Sequence, residues 1–399
     1  MASLLTLEEA QDHVLAHSRP LSAELVPIAA AAGRVTAEGV RARVDLPPFA
    51  SSAMDGFAVR AADLPGTLRI VGESAAGTPY AGKLDPGGAV AISTGAVVPE
   101  GADAVAPIES VVKKENSVEI GDAFEPGAHV RPRGGDVAEG DVVVPAAAPL
   151  TAARLAAAAA SGIGELACRR RPRVAVLATG SELVLPGGRL GSGQIYETNG
   201  LMLSAALVAA GADVVTGSPV ADDGGALRAA LERGLAGDVL VTSGGVSVGE
   251  HDLVRAVEGE LGVEEVFWRV SIKPGKPVSF GVRGDTLVFG LPGNPVSALV
   301  GCELFVKPAL RALQGLEHPL PRYEPGRLTT ALRRNAERDE FVRARSRVDG
   351  DVLSLDPMIG QESHMIVRSG GADALVHVPR GNGELEAGSH VRWLRLGDA

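Results

Sequence analysis

The feature that most constrains this chain is the alternation of short apolar runs with amphipathic segments between residues 172 and 316. RVAVLATG reads as a strand, LMLSAALVAAGA as a helix, DVVTGSPV as a strand, GGALRAALERG as a helix and DVLVTSGG as a strand. Strands that alternate with amphipathic helices predict an open, largely parallel α/β sheet. Crossovers of this kind put ligands at the carboxyl ends of the strands.

Different patterns flank that segment. TLEEAQDHVLAH, residues 6–17, predicts a helix opened by a Thr6/Glu9 capping box, with Leu7, Ala10, Val14 and Leu15 on one face. From the turn at Asp45-Leu46-Pro47-Pro48 to about residue 145, segments such as LRIVGE, AVAISTG, SVVKKENSVEI and DVVVP are short, β-branched and broken by Gly or Pro. They predict a small β-rich unit. Helical character returns with TAARLAAAAAS at 151–161, so the β unit reads as an insertion. Beyond Gln314-Gly315, DVLSLDP, ALVHVP and HVRWLRL predict a terminal β domain. The expected fold is therefore multidomain, α/β plus β-rich. Residues 1–45 and 146–171 form a helical linking domain, 46–145 an inserted β-rich domain, 172–316 the α/β domain and 317–399 a C-terminal β domain.

Composition narrows the function classes. With 45% hydrophobic and 22% charged residues among 399, the chain can bury real cores. Lys+Arg 38 against Asp+Glu 49 gives a net charge of −11, which argues against binding a nucleic-acid backbone. Aromatic residues are only 3%, too few for a platform that stacks single strands. Cys168 and Cys302 have no spacing that suits zinc, and two distant thiols read as a reduced, cytoplasmic protein. MASLLTLEEAQDHV lacks the pattern of a secretory signal, and the alanine run Ala152 to Ala160 is too short to span a bilayer, so no membrane is expected.

Four polar or glycine-rich clusters punctuate the α/β segment. Thr179-Gly180-Ser181-Glu182-Leu183 follows VAVLA and offers a tight turn with capping hydroxyls. Ser243-Gly244-Gly245-Val246-Ser247-Val248-Gly249 follows DVLVT, and paired glycines let backbone N–H groups converge on an anion. Asp252, just beyond, has the chemistry of a cation ligand or general base beside a phosphate. Lys273-Pro274-Gly275-Lys276-Pro277 sets two ammonium groups three residues apart on a proline-stiffened loop, which suits a tetrahedral oxyanion. Gly290-Leu291-Pro292-Gly293-Asn294-Pro295-Val296-Ser297 follows TLVFG and opens a helix with Asn and Ser donors. Taken singly, the clusters other than Ser243–Gly249 read as ordinary punctuation, whereas that one already favours an anion site; four in one sheet are not explained as punctuation. Outside the segment, the clusters around Asp55 (Ser52 to Ala58) and from Arg131 to Asp136 each read, alone, as a turn or an ion pair.

Taken together, SAMDGFAVR, RPRGGDV, TGSEL, GQIYETN, SGGVSVGEHD, KPGKP and GLPGNPVSA, in this order and spacing, closely resemble the molybdopterin molybdenumtransferase family, which is related to the C-terminal domain of gephyrin. The resemblance covers nearly the whole chain and is clearest from 47 to 301. It implies four subdomains, an elongated homodimer with a C-terminal β-barrel-like domain, and a cleft formed by both subunits. It also implies a reaction that takes adenylylated molybdopterin and molybdate, hydrolyses the adenylate with Mg²⁺, releases AMP and leaves molybdenum on the dithiolene. A molybdopterin adenylyltransferase and the recipient molybdoenzymes would then be partners.

Carried onto this sequence, the resemblance assigns Lys273, Lys276, Ser297, Arg343 and Ser363 to molybdate. It assigns Thr179, Gly180, Ser243, Gly244, Gly245, Ser247, Gly249, Asn294 and Arg131 to molybdopterin and its phosphate. Glu182, Asp222 and Asp252 match acids that would hold Mg²⁺ and orient water, and Asp55 and Asp136 match functional acids of the other domains. The chain departs from the family at Ser181, where TGDEL is usual, so one carboxylate is missing from that loop. The alternative function class is a non-catalytic molybdopterin-binding scaffold of the gephyrin type. The presence of Glu182, Asp222, Asp252, Lys273 and Lys276 together argues against it.

Overall fold

The computed structural model describes residues 4–221, 223–245, 253–350 and 352–397. They form two compact units, one from the residues up to 24, 33–37 and 168 onward, the other from 25–32 and 38–167.

The first unit opens on helix α1, Leu7–His17. Thr6 Oγ1 accepts from the Glu9 N–H at 3.2 Å and the Glu9 carboxylate accepts from the Thr6 N–H at 2.8 Å, a complete capping box. Leu7, Ala10 and Val14 are buried as expected. The fourth buried position is Gln11 rather than Leu15, because its amide donates to the Leu304 carbonyl at 3.0 Å.

The α/β region runs β1 (Arg173–Ala178), α2 (Asn199–Ala209), β2 (Asp213–Thr216), α3 (Gly224–Gly234), β3 (Val239–Ser243), α4 (Leu253–Glu260), β4 (Glu264–Trp268), β5 (Ile272–Lys273), β6 (Ser279–Arg283), β7 (Thr286–Leu291), α5 (Pro295–Gly301) and α6 (Lys307–Leu313). Its six-stranded sheet has the order β2-β1-β3-β7-β6-β4. The first four strands are parallel, and β6 and β4 add antiparallel to one edge. One face packs Leu203, Leu207, Phe280, Phe289 and Phe305, the other Leu227, Leu231, Leu240 and Val254. A single buried π turn, Cys302–Val306, joins α5 to α6 and carries the Glu303–Lys307 ion pair at 2.7 Å. Register matters most here. Ala178 pairs with Ser243, and Ser243 with Leu291, so the clusters that follow β1 and β3 and the one that closes β7 emerge side by side at one carboxyl edge.

The end of the chain forms β8 (Glu324–Leu328), β9 (Asp339–Asp349), β10 (Val352–Pro357), β11 (Ala374–Val378) and β12 (His390–Arg395). They pair in the cycle β9-β10-β8-β12-β11-β9, a closed five-stranded barrel. Closure leaves no free edge within the ring, and Leu355, Val376 and Trp393 fill it. Short strand β5 lies parallel to β9, with Ile272 opposite Asp339 and Lys273 opposite Glu340. This pairing ties the lysine loop of the α/β region to the barrel.

The second unit is built on a six-stranded mixed sheet, in the order Ala104–Pro107, Gly56–Val59, Gly88–Ile92, Gly66–Ser74, Ser117–Ile120 and Val111–Lys113. Alternate residues face two small cores, Phe57, Val59, Leu68 and Val118 on one side and Ala58, Val90, Ile92 and Val105 on the other. The alanine-rich helix is Ala152–Ala160, with the Thr151 hydroxyl accepting from the Arg154 N–H. Cys168 and Cys302 are buried free thiols. Among the described residues no helix is long and apolar enough to cross a membrane.

Candidate functional site

Two neighbouring cavities of about 630 and 620 Å³ occupy the region where the clusters converge, and Pro277, Pro292, Asn294 and His364 line both. The first, at the carboxyl edge of the sheet, is lined by Thr179, Gly180, Glu182, Ser243, Gly244 and Gly245, with Asn199 among its further walls. Glycine is required at its base. Gly244 and Gly245 have φ of +97° and +68°, and a Cβ on Gly244 would meet the Thr179 carbonyl oxygen at 2.5 Å and its hydroxyl at 2.8 Å. Thr179 Oγ1 lies 3.5 Å from the Ser243 carbonyl and its N–H donates to the same oxygen at 2.9 Å, locking two strand ends together.

Asn199 is the residue that sequence reasoning missed in this cavity. Its buried amide donates to Ser243 Oγ and to the Gly293 carbonyl, both at 2.8 Å, and so joins the SGG loop to the LPGN loop. Its Oδ1 is buried without a partner. The only signal in the sequence is GQIYETN, a motif whose Asn has no visible partner until the strands are aligned. Glu197, also buried, accepts from the Gly200 N–H at 2.6 Å and caps the start of α2.

Lys273, Lys276, Ser297, Ser363, Arg338 and Glu340 are among the residues around the second cavity. Ser297 sits buried on α5. Ser363 comes from the loop between β10 and β11, which docks on the start of α5. Its carbonyl accepts from the Val296 N–H at 3.0 Å, and its hydroxyl from the Asn294 amide at 2.8 Å. Lys273 Nζ donates to Glu340 at 2.6 Å. Arg338 and Glu340 were not among the residues singled out in the sequence.

Arg343 stands behind this cavity rather than on its wall. Its side chain is almost fully buried, and its guanidinium donates to the carbonyls of Met365, Gly360 and Glu362 and to Ser369 Oγ. Burial pulls the guanidinium pKa down from its ordinary value, partly offset by Glu362. Residues 360–369 are therefore shaped around one cation.

Of the acids expected to hold a divalent cation, Glu182 faces the first cavity, and its carboxylate lies beside Gly180. An oxygen donor open to a cavity suits a hard cation. Asp222 and Asp252 lie outside the described residues, as do Ser247 and Gly249. Among the described residues no group of three His, Cys, Asp or Glu is placed to hold a metal ion.

Asp55, Arg131 and Asp136 belong to the second unit. The Thr94 N–H and hydroxyl, at 2.7 and 3.0 Å, hold the Asp55 carboxyl below the usual range. The ion pair expected within 131–136 forms elsewhere: Arg133 binds Asp45 at 2.6 Å, while Asp136 and Arg131 are exposed. The partner is distant in sequence because Gly134 and Asp136 fold their backbone onto Pro47 and Leu46.

A third cavity, about 760 Å³, lies against α3. Its walls are largely apolar, with Val215, Val220, Ala226 and Ala230 among them, and it lacks the converging polar groups of the other two.

Known proteins resemble the chain over nearly its whole length. Residues 5–162 match the family described as MoeA N-terminal region (domain I and II), 175–312 the probable molybdopterin binding domain, and 325–396 the MoeA C-terminal region (domain IV). The chain is 38% identical over 390 residues to molybdopterin molybdenumtransferase 2 of Mycobacterium tuberculosis, covering 94% of each chain. It is 40% identical over 317 residues to molybdopterin molybdenumtransferase of Haemophilus influenzae, covering 78% of each. It is also similar to the solved molybdopterin biosynthesis MoeA protein of Pyrococcus horikoshii, with TM-score 0.84, 33% identity, and 98% and 99% of the two chains covered. By sequence, domain content and fold, the chain belongs to the MoeA family of molybdopterin molybdenumtransferases, enzymes of molybdenum cofactor biosynthesis.

Proposed function

We propose that the chain inserts molybdenum from molybdate into adenylylated molybdopterin, the last step of molybdenum cofactor synthesis. The observation that carries this reading is the pair of cavities sharing one wall, one rich in backbone donors and hydroxyls, the other in cations. The first suits the pterin phosphate, held by the backbone of Ser243 to Gly245 with Thr179, Gly180 and Asn294 around it. The second suits a tetrahedral dianion, met by Lys273, Lys276, Ser297 and Ser363. Arg343 serves this seat by fixing the loop that carries Ser363.

In the reaction water cleaves the phosphoanhydride joining AMP to molybdopterin, giving AMP and the pterin phosphate, and molybdate binds the two dithiolene sulfurs as one of its oxo groups leaves with the two thiol protons as water. The shared wall holds the two substrates close enough for that transfer, so the chain acts first through positioning. Glu182, with Asp222 and Asp252, would hold Mg²⁺, which supplies charge neutralisation at the phosphates and a more acidic water. Ser181 leaves that loop with one carboxylate fewer than the family pattern. Asp55, Arg131 and Asp136 complete the cleft from a partner subunit in a homodimer. The four-part partition at 45/46, 145/146, 171/172 and 316/317, a cytoplasmic location, and exchange with an adenylyltransferase and with molybdoenzymes belong to the same reading.

Two substitutions separate the cavities. Lys276→Gln should weaken molybdate binding and leave molybdopterin binding intact, whereas Ser243→Ala should do the reverse, as read by titration of each ligand. Equal loss of both ligands in both variants would contradict the assignment.

A further inference from the structure

The Lys273 ammonium is already paired at the wall of the second cavity. It sits 2.6 Å from a Glu340 carboxylate oxygen, and that carboxylate is more buried than the lysine, with side-chain exposures of 14% and 52%. The pair is set by backbone register, since Lys273 on β5 lies directly opposite Glu340 on β9, and both side chains line the same cavity. Glu340 is therefore fixed to the barrel, while Lys273 has the freer end. Lys276 and Arg338 line the cavity as well, and no ion pair joins either to a described residue.

We propose that Glu340 is the affinity-setting residue of this seat: a built-in competitor that the incoming oxyanion must displace from Lys273. The inference rests on the oxyanion reading of the second cavity. Lys276 and Arg338 receive an anion without rearrangement, but Lys273 joins only by exchanging one anion for another. For a monoanion that exchange returns about what it costs, because the ammonium leaves one negative charge for another. For a dianion the attraction is roughly twice as large, and the exchange runs forward. The seat stays neutralised toward monoanions and gains its third cation for a dianion such as molybdate. It also holds its cargo less tightly than three free cations would, which favours handing the metal onward.

The experiment titrates the full-length protein with sodium molybdate and with sodium perrhenate, a tetrahedral monoanion of closely similar shape, by calorimetry. Glu340→Gln keeps the side-chain shape and removes the competing charge. It should tighten both anions by a similar factor, roughly two- to fivefold, the range set by loss of one partly exposed ion pair. In a Lys273→Gln background the same substitution should give no tightening, because nothing remains to be released. Unchanged or weaker binding in Glu340→Gln, with molybdate still bound by the unsubstituted protein, would overturn the role given to Glu340 and leave the oxyanion seat standing. Tightening that persists without Lys273, or a gain for molybdate near the square of that for perrhenate, would mean direct repulsion by a fixed carboxylate and would also overturn it. If the unsubstituted protein binds no molybdate, the oxyanion reading falls, and this inference with it.

Discussion

Single side chains decide how the loops of this site meet. Asn199 donates from one amide group to Ser243 Oγ and Gly293, and neither contact exists without strands β1, β3 and β7 in register. Asn199→Ala should leave a buried hydroxyl and a carbonyl short of a donor, costing about 1–3 kcal/mol. The cost should be read in the unfolding transition of the α/β region, with weaker molybdopterin binding alongside. A variant as stable as the parent would show that water replaces the amide. The sequence pointed to Thr179, Ser243 and Asn294 because Gly, Ser, Thr and Asn after apolar runs announce themselves locally. Asn199 and Glu340 carry no such local mark; their roles come from partners 44 to 94 residues away.

At the scale of elements, two anchors organise the first unit, one behind the second cavity and one at the amino edge of the sheet, opposite the site. Arg343 gathers the carbonyls of residues 360, 362 and 365, so Arg343→Met should strip a charged donor from several buried acceptors at once. Removing hydrogen bonds to a charged group costs about 1.5–3 kcal/mol each way they are counted. The expected result is faster amide exchange across 358–369 and loss of molybdate binding, although Arg343 lines no part of the cavity. Retained exchange protection there would refute the anchoring role.

The second anchor is Asp238, which ties the start of β3 to the residues before β1. Its carboxylate accepts two bonds from Arg170, both at 2.6 Å, and one from the Arg173 N–H at 2.8 Å. Burial pushes its pKa up, but Arg170 and the Arg173 N–H, with both charges, pull it further down and hold the carboxyl below the usual carboxylate range. A carboxyl lowered on folding stabilises above its unfolded value, and that contribution is lost as pH falls through the folded one. Asp238→Asn should therefore be less stable than the parent at pH 7, with the gap closing below about pH 3.8. A gap that persists at low pH would mean packing, not charge, holds this corner.

For the whole molecule, the alternation of strand and helix was legible because periodicity reports burial within one element. The closed barrel was less so: short strands signal a β domain, but the pairings of β8 with β10 and of β9 with β11 that close the ring join segments far apart in sequence. The Arg133–Asp45 pair shows the same limit, since 88 residues separate partners that a local reading set apart. The proposed homodimer predicts a sedimenting species of twice the 40.7 kDa chain mass, and a purely monomeric protein that still turns over would remove the need for a partner's Asp55, Arg131 and Asp136.

The most direct test is an assay of the purified protein with adenylylated molybdopterin and Mg²⁺, with and without molybdate. AMP release and molybdenum retained on the pterin are followed together. The expected result is AMP release that depends on molybdate, with metal retained in step. Tight binding of the adenylate without molybdate-dependent AMP release, or AMP release with no molybdenum retained, would contradict it.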